Sequence, residues 1–72
     1  MKIRYDPSVD AAYISLIGDG EWAPFGFTYA CDPAVVRGQI HLDFDASGRL
    51  RGIEVLQASK MLAASLLADS KA

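Results

Sequence analysis

The residues of this chain best suited to chemistry lie in one stretch, DFDASGRLRGIE, residues 43–54. Asp43, Asp45, Ser47, Gly48 and Glu54 stand at positions 1, 3, 5, 6 and 12 of that run, the ligand spacing of an EF-hand calcium loop. Leu50 even supplies the apolar residue usual at position 8. Position 9, however, is Arg51, which brings no oxygen and sets positive charge beside the ion, and Arg49 adds more. VRGQIHL before the stretch alternates with period two, and LRGIEVL at its end reads as a strand, whereas a calcium loop joins two helices. The stretch is therefore predicted to be a β-hairpin that turns at DASG and holds no calcium. Asp45 and Gly48 are there for backbone geometry.

On that hairpin His41, Asp43 and Asp45 share one face of a strand, and Glu54 and Arg51 come from its partner. Residues two apart on a strand lie about 6.5–7 Å from each other, so His41 and Asp43 could share a divalent metal or a proton relay. His41, Asp43, Asp45 and Glu54 are accordingly the candidate metal or small-ligand set. The simpler reading is a solvated face whose acids pair with Arg51 and Arg37, as the outer face of an antiparallel sheet ordinarily does. Cys31 and His41 fail as a nucleophile and base, because alternation puts them on opposite faces and a cysteine among aromatics is a small apolar filler. Trp22, in a loop, could be an exposed ligand-stacking residue, but reads more readily as the lid of a small core or part of an interface. No catalytic residue and no cofactor is assigned.

Short strands must position these groups. KIRY alternates, with Ile3 and Tyr5 against Lys2 and Arg4, and DPSVD turns the chain, with Asp6 and Asp10 placed to accept bonds from free amides. AAYISLI then returns antiparallel to it. After the loop GDGEWAP, FGFTYAC sets Phe25, Phe27, Tyr29 and Cys31 on one side. VRGQIHLDFD puts Val36, Ile40, Leu42 and Phe44 on one face, and RLRGIEVL closes the sheet with a bulge expected at Gly52. The predicted main core is Phe25, Phe27 and Tyr29 with Ile3, Ile14, Leu42 and Ile53, so Phe27→Ala is expected not to fold. The last third, ASKMLAASLLADS, is built from helix formers with Ser59 as N-cap, giving one helix from about Ser59 to Asp69. That helix is apolar nearly all round: Met61, Leu62 and Leu66 can cover the sheet, and Ala63, Ala64 and Leu67 then face water.

MKIRYDPSVDAAYISL followed by FDASGRLRGIEVLQAS resembles a family of short, mostly bacterial proteins catalogued as domain of unknown function 2283. Proteins of that family open on a lysine-aromatic-aspartate strand and an alanine-rich "ALYI"-like strand. They close on an aspartate-glycine hairpin and a "GIE-aliphatic-leucine" strand. Tyr5, Asp6, Asp10, Ala11, Tyr13, Ile14, Leu16, Asp45, Gly48, Leu50, Gly52, Ile53, Glu54 and Leu56 carry the resemblance, which covers the two ends and leaves the centre without a counterpart. The resemblance implies a compact sheet with a terminal helix, and no activity.

Composition bounds the rest. Seventy-two residues make a single α+β domain, 1–72. The predicted fold is an antiparallel sheet of four to five strands, a meander of hairpins, with one C-terminal helix. A core this small stabilises a chain by only roughly 3–5 kcal/mol. One cysteine excludes an internal disulfide, and one cysteine with one histidine argues against structural zinc. The net charge of −2 and the scattered basic residues argue against nucleic acid, and MLAASLLA is too short to cross a bilayer. MKIRYDPS lacks a signal peptide's apolar core, so a cytoplasmic location is expected. Yet 51% of residues are hydrophobic. The expected role is a non-enzymatic interaction module that self-associates as a homodimer, with Met61, Ala63, Ala64 and Leu67 in the interface, or serves as one half of a small bacterial two-protein complex. The competing expectation is a metal- or small-ligand-binding domain or enzyme on the His41, Asp43, Asp45 and Glu54 face.

Overall fold

The computed structural model describes residues 1–68. Five strands, β1 (Lys2–Asp6), β2 (Ala11–Ser15), β3 (Phe25–Ala30), β4 (Ile40–Asp45) and β5 (Leu50–Leu56), form one antiparallel sheet in the order β1-β2-β5-β4-β3. This corrects the simple meander. β1–β2 and β3–β4–β5 are each meanders, but β2 lies beside β5, and the long connection after β2 carries the chain to the far edge. The last strand is thus the central one. Its register sets Ile53 between Leu42 and Ile14 and Val55 between Ile40 and Ala12, so both meanders close on its apolar residues.

Three short helices replace the single one expected: α1 (Pro33–Val36), α2 (Ala58–Met61) and α3 (Ala64–Ala68). VRGQ is therefore not the start of β4. Asp32 accepts a bond from the Ala34 amide at 2.9 Å and Pro33 fits the first turn, a local N-terminal signal that outweighs the strand-like alternation. The C-terminal segment breaks at Leu62, whose backbone is extended (φ −118°, ψ 150°). The break has a packing reason. A straight helix that is apolar all round would wet one side, whereas the turned second piece lets Leu67 join Met61 and Leu62 against the core. Leu67 therefore does not face water, and Asp69, the expected helix end, lies outside the described residues.

Ser59 does not cap its own helix. Gln57 stands at that position in the left-handed region (φ 50°) and its side chain makes no capping bond. Asp10 supplies the bonds from across the fold. Its carboxylate accepts the Ser59 amide at 2.9 Å, the Ser59 hydroxyl at 2.7 Å and the Tyr5 hydroxyl at 2.7 Å. Its carbonyl accepts the Ala58 amide at 2.9 Å. One residue in the β1–β2 turn thereby fixes the helix to the sheet. The buried cluster under it is Ala12, Val55 and Ala58, with Tyr5, Ile53, Met61, Leu62 and Leu67 packed around it. Small side chains at Ala12 and Ala58 let helix and sheet approach closely.

The expected aromatic core is overturned. Phe25, Phe27 and Tyr29 are 55%, 53% and 56% exposed, and all six residues of β3 are exposed. Alternation identified an apolar face but not what would cover it. Among the described residues α2 and α3 pack on the β2–β5 side, and the β3–β4 half stays open. A register shift between Phe25 and Phe27 also sets Phe25 against Asp45, out of phase with Phe27 against Phe44. Phe27 stacks on Phe44 at a centroid distance of 4.8 Å.

Two predictions follow from this arrangement. In dilute solution Phe27→Ala should fold, losing the stacked pair at a cost of about 0.5–1.5 kcal/mol beyond its area burial, read as a lowered urea midpoint. Failure to fold would restore the aromatic residues to the core. The second concerns acid. The Ser59 hydroxyl, then that of Tyr5, hold the Asp10 carboxyl below its ordinary value of 3.8. The Arg49 amide does the same for Asp45, and the Ser8 hydroxyl for Asp6. Carboxyls depressed in the fold stabilise it above their unfolded value and lose that contribution as pH falls through the folded one. The urea midpoint should therefore hold steady near neutrality and drop as pH goes below about 4, with a shallower drop in Asp10→Asn. An equal drop in that variant would exclude Asp10 as a main contributor.

Candidate functional site

The sheet face opposite the helices carries the polar residues. β3, β4, β5 and β2 bring Thr28, Asp43, Gly52 and Ser15 into one row and Ala30, His41, Glu54 and Tyr13 into the next. Tyr13 faces Glu54 directly, but its ring leans diagonally across Gly52, and its hydroxyl donates to Asp43 Oδ2 at 2.9 Å. Gly52 makes this possible, since a methyl group there would collide with the Tyr13 phenol. Covering a strand glycine with a neighbouring aromatic also repairs the weak point that glycine makes in a sheet. Thr28 Oγ1 donates to the other oxygen of the same carboxylate, Asp43 Oδ1, at 2.7 Å.

His41 and Glu54 form a separate cross-strand pair, Nδ1 to Oε1 at 2.8 Å. Asp45 takes neither side. It is buried, and its Oδ1 accepts the amides of Ser47 and Arg49, each at 2.9 Å. The Gly48 amide bonds back to the Asp45 carbonyl at 2.9 Å, with Gly48 at φ 88° as the turn requires. The hairpin predicted for the opening stretch is thus present, joining β4 to β5, and its register shifts opposite Leu50–Gly52, where the bulge was expected.

The four candidate residues therefore divide three ways. His41 and Glu54 meet, Asp43 is held by Tyr13 and Thr28, and Asp45 shapes the turn. Among the described residues no group of three or more histidine, cysteine or acidic side chains is placed to share a cation. Burial, and then the bond to Asp43, push the Tyr13 phenol above its ordinary value of 10.0, so at neutral pH it is a proton donor to the carboxylate. The expected pairing of these acids with Arg37 and Arg51 is not what the side chains do: the partners are Tyr13, Thr28 and His41. Tyr13 and Thr28 escaped the sequence reading. The signal for Tyr13 was its diagonal relation to a strand glycine, which becomes visible only once the β2–β5 pairing is known.

The residues expected at an interface are likewise divided. Met61 and Leu67 pack on the core cluster, while Ala63 and Ala64 are exposed. A cleft of about 400 Å³ beside the end of β5 is lined by Val9, Pro33, Gly38, Gln39, Leu56 and Gln57, with no ionisable side chain. Trp22 is 79% exposed in the loop that leads into β3, so it is no lid. No helix among the described residues is long and apolar enough to cross a membrane.

The family described as "Protein of unknown function (DUF2283)" matches residues 2–59, a span that includes all five strands and the segment between the two resembling ends. No curated protein and no solved structure is significantly similar to the chain. The residues that carry the family resemblance prove to be builders of the fold. Tyr5 and Asp10 anchor the helix, Asp45 and Gly48 make the turn, and Tyr13 and Gly52 lock the sheet face.

Gly52→Ala tests that lock. The added methyl should displace the Tyr13 ring and break its bond to Asp43, costing about 1–3 kcal/mol. The tyrosine whose titration lies above 10.0 for this reason should move back toward that value, read by ultraviolet absorbance against Tyr13→Phe. An unchanged titration would mean that the ring does not lie over Gly52.

Proposed function

The chain belongs to the DUF2283 family, whose description names no activity, and we propose that it is a non-enzymatic interaction module that assembles with a second copy of itself. The observation that carries this reading is the uncovered half of the apolar sheet face and its edge. Trp22, Phe25, Phe27 and Tyr29 are each more than half exposed on or beside β3. With side chains of 150–250 Å² each, Phe27 and Tyr29 present roughly 200 Å² on the apolar face itself, while Phe25, out of phase with Phe27, and Trp22 lie beside it. Leu50 and the partly exposed Leu42 and Phe44 extend this surface toward the roughly 300–600 Å² of the largest apolar patch on an ordinary monomer. A standard interface takes about 800 Å² from each partner, of which this surface would supply a part.

The polar face supports a binding role over a catalytic one. Its carboxylates are engaged by neighbouring side chains or turn amides, and the histidine by Glu54, which leaves no convergent set aimed at a reacting atom. In this reading the aromatic strand is preferred to the helix that sequence placed in the interface. Met61 and Leu67 contribute to the core of the single chain, and the aromatic strand takes over as the surface best suited to a partner. Ala63 and Ala64 remain exposed and belong to the test.

Light scattering across a tenfold dilution should find a dimer that dissociates on dilution. Phe27→Lys should raise its dissociation constant at least tenfold, about 1.4 kcal/mol, with an unchanged circular dichroism spectrum. A monodisperse monomer at high concentration contradicts self-association and leaves a different protein as the partner. A dimer untouched by Phe27→Lys but broken by Ala64→Lys returns the interface to the helix.

A further inference from the structure

We propose that two copies join edge to edge through β3, antiparallel about a two-fold axis at Tyr29, making one continuous ten-stranded sheet. This rests on the self-association reading and names its geometry. The sheet has two edges, and they differ in kind. β1 carries Lys2, Arg4 and Asp6, the charges by which natural sheets guard an edge against pairing. β3, with sequence FGFTYA, carries no charge at all and is exposed along its whole length. No like-charge repulsion opposes the approach of a second β3.

The backbone specifies the register. The Cys31 amide bonds inward to the Ile40 carbonyl at 2.9 Å, and Tyr29 pairs with Leu42 in the same phase. Alternation along an antiparallel strand then turns the amides and carbonyls of Thr28 and Ala30 outward. The register shift between Phe25 and Phe27 ends this regular run on its other side, so Thr28 and Ala30 are the outward pair to be satisfied. An axis through Tyr29 lets Thr28 exchange both backbone bonds with Ala30 of the second copy, and Ala30 with its Thr28, making four bonds. Tyr29 then faces its own counterpart at a non-hydrogen-bonded position, where α-carbons lie about 4.5 Å apart and side chains meet closely. Tyr29 shares the apolar face with Phe27 and Phe44, so the two open half-faces merge into one aromatic patch. The occupant that satisfies the edge is a second copy of this chain, because the edge is its own complement about that axis.

The test uses two variants of the whole chain. Tyr29→Cys in a Cys31→Ser background has a single thiol, since Cys31 is the only cysteine. Oxidised glutathione should convert it to a disulfide-linked dimer, the expected α-carbon separation being within the range a disulfide spans. Arg4→Cys in the same background, on the guarded edge, should stay unlinked. Ala30→Pro removes an outward amide at an edge position where proline is tolerated, and should leave a folded monomer. If wild type is dimeric but Tyr29→Cys fails to cross-link and Ala30→Pro stays dimeric, the edge pairing is wrong while self-association stands. If wild type is monomeric at every concentration, both fall.

Discussion

A five-stranded sheet offers two faces and two edges, and among the described residues only two short helical turns follow β5 to cover them. That shortage of cover organises the molecule. The helices are spent on the β2–β5 side, where Asp10 binds α2 from the first turn and the small residues Ala12 and Ala58 allow close contact. The opposite face is finished by polar side chains that satisfy one another. What remains is half of one face and the β3 edge, both apolar and both open. No large side chain in the described chain is fully buried, which for a core this size makes an external source of burial a substantial part of stability.

The same accounting explains why the polar groups look functional in sequence and behave structurally in space. Histidine and carboxylates at alternating positions are what a metal site and a solvated sheet face both require. Cross-strand geometry decides between them. Asp43 is bridged by Tyr13 and Thr28 from two different strands, so its carboxylate ties β2, β3 and β4 together over Gly52. The His41–Glu54 pair does the same for β4 and β5. Asp45 is turned into the hairpin it helps to form.

Much of this was legible from residue order, and the rest was withheld for identifiable reasons. Period-two alternation located all five strands, and DASG located the turn, because both are local signals. Alternation also found the two faces correctly, His41 on one and Tyr29 on the other. It could not say which face would be covered, and so Phe27 and Tyr29 were expected in a core that lies elsewhere. The capping of α2 by Asp10, and Tyr13 over Gly52, join residues far apart in sequence and leave no local mark. The α1 signal in DPAV is local, but the alternation around it reads as strand and masks it in the sequence. The break at Leu62 answers to packing against Ala58 and Val55, which helix propensity alone does not see.

The central claim is that the open β3 edge is occupied by another copy, and backbone amide exchange addresses it most directly. Cys31 donates inward to β4 and should be protected in any folded form. Thr28 and Ala30 point outward, and their amides have no partner strand among the described residues. At the concentration where the protein is a dimer, the account predicts that Thr28 and Ala30 exchange slowly, and that both speed up on dilution while Cys31 does not. Rapid exchange at Thr28 and Ala30 in the dimer would contradict it.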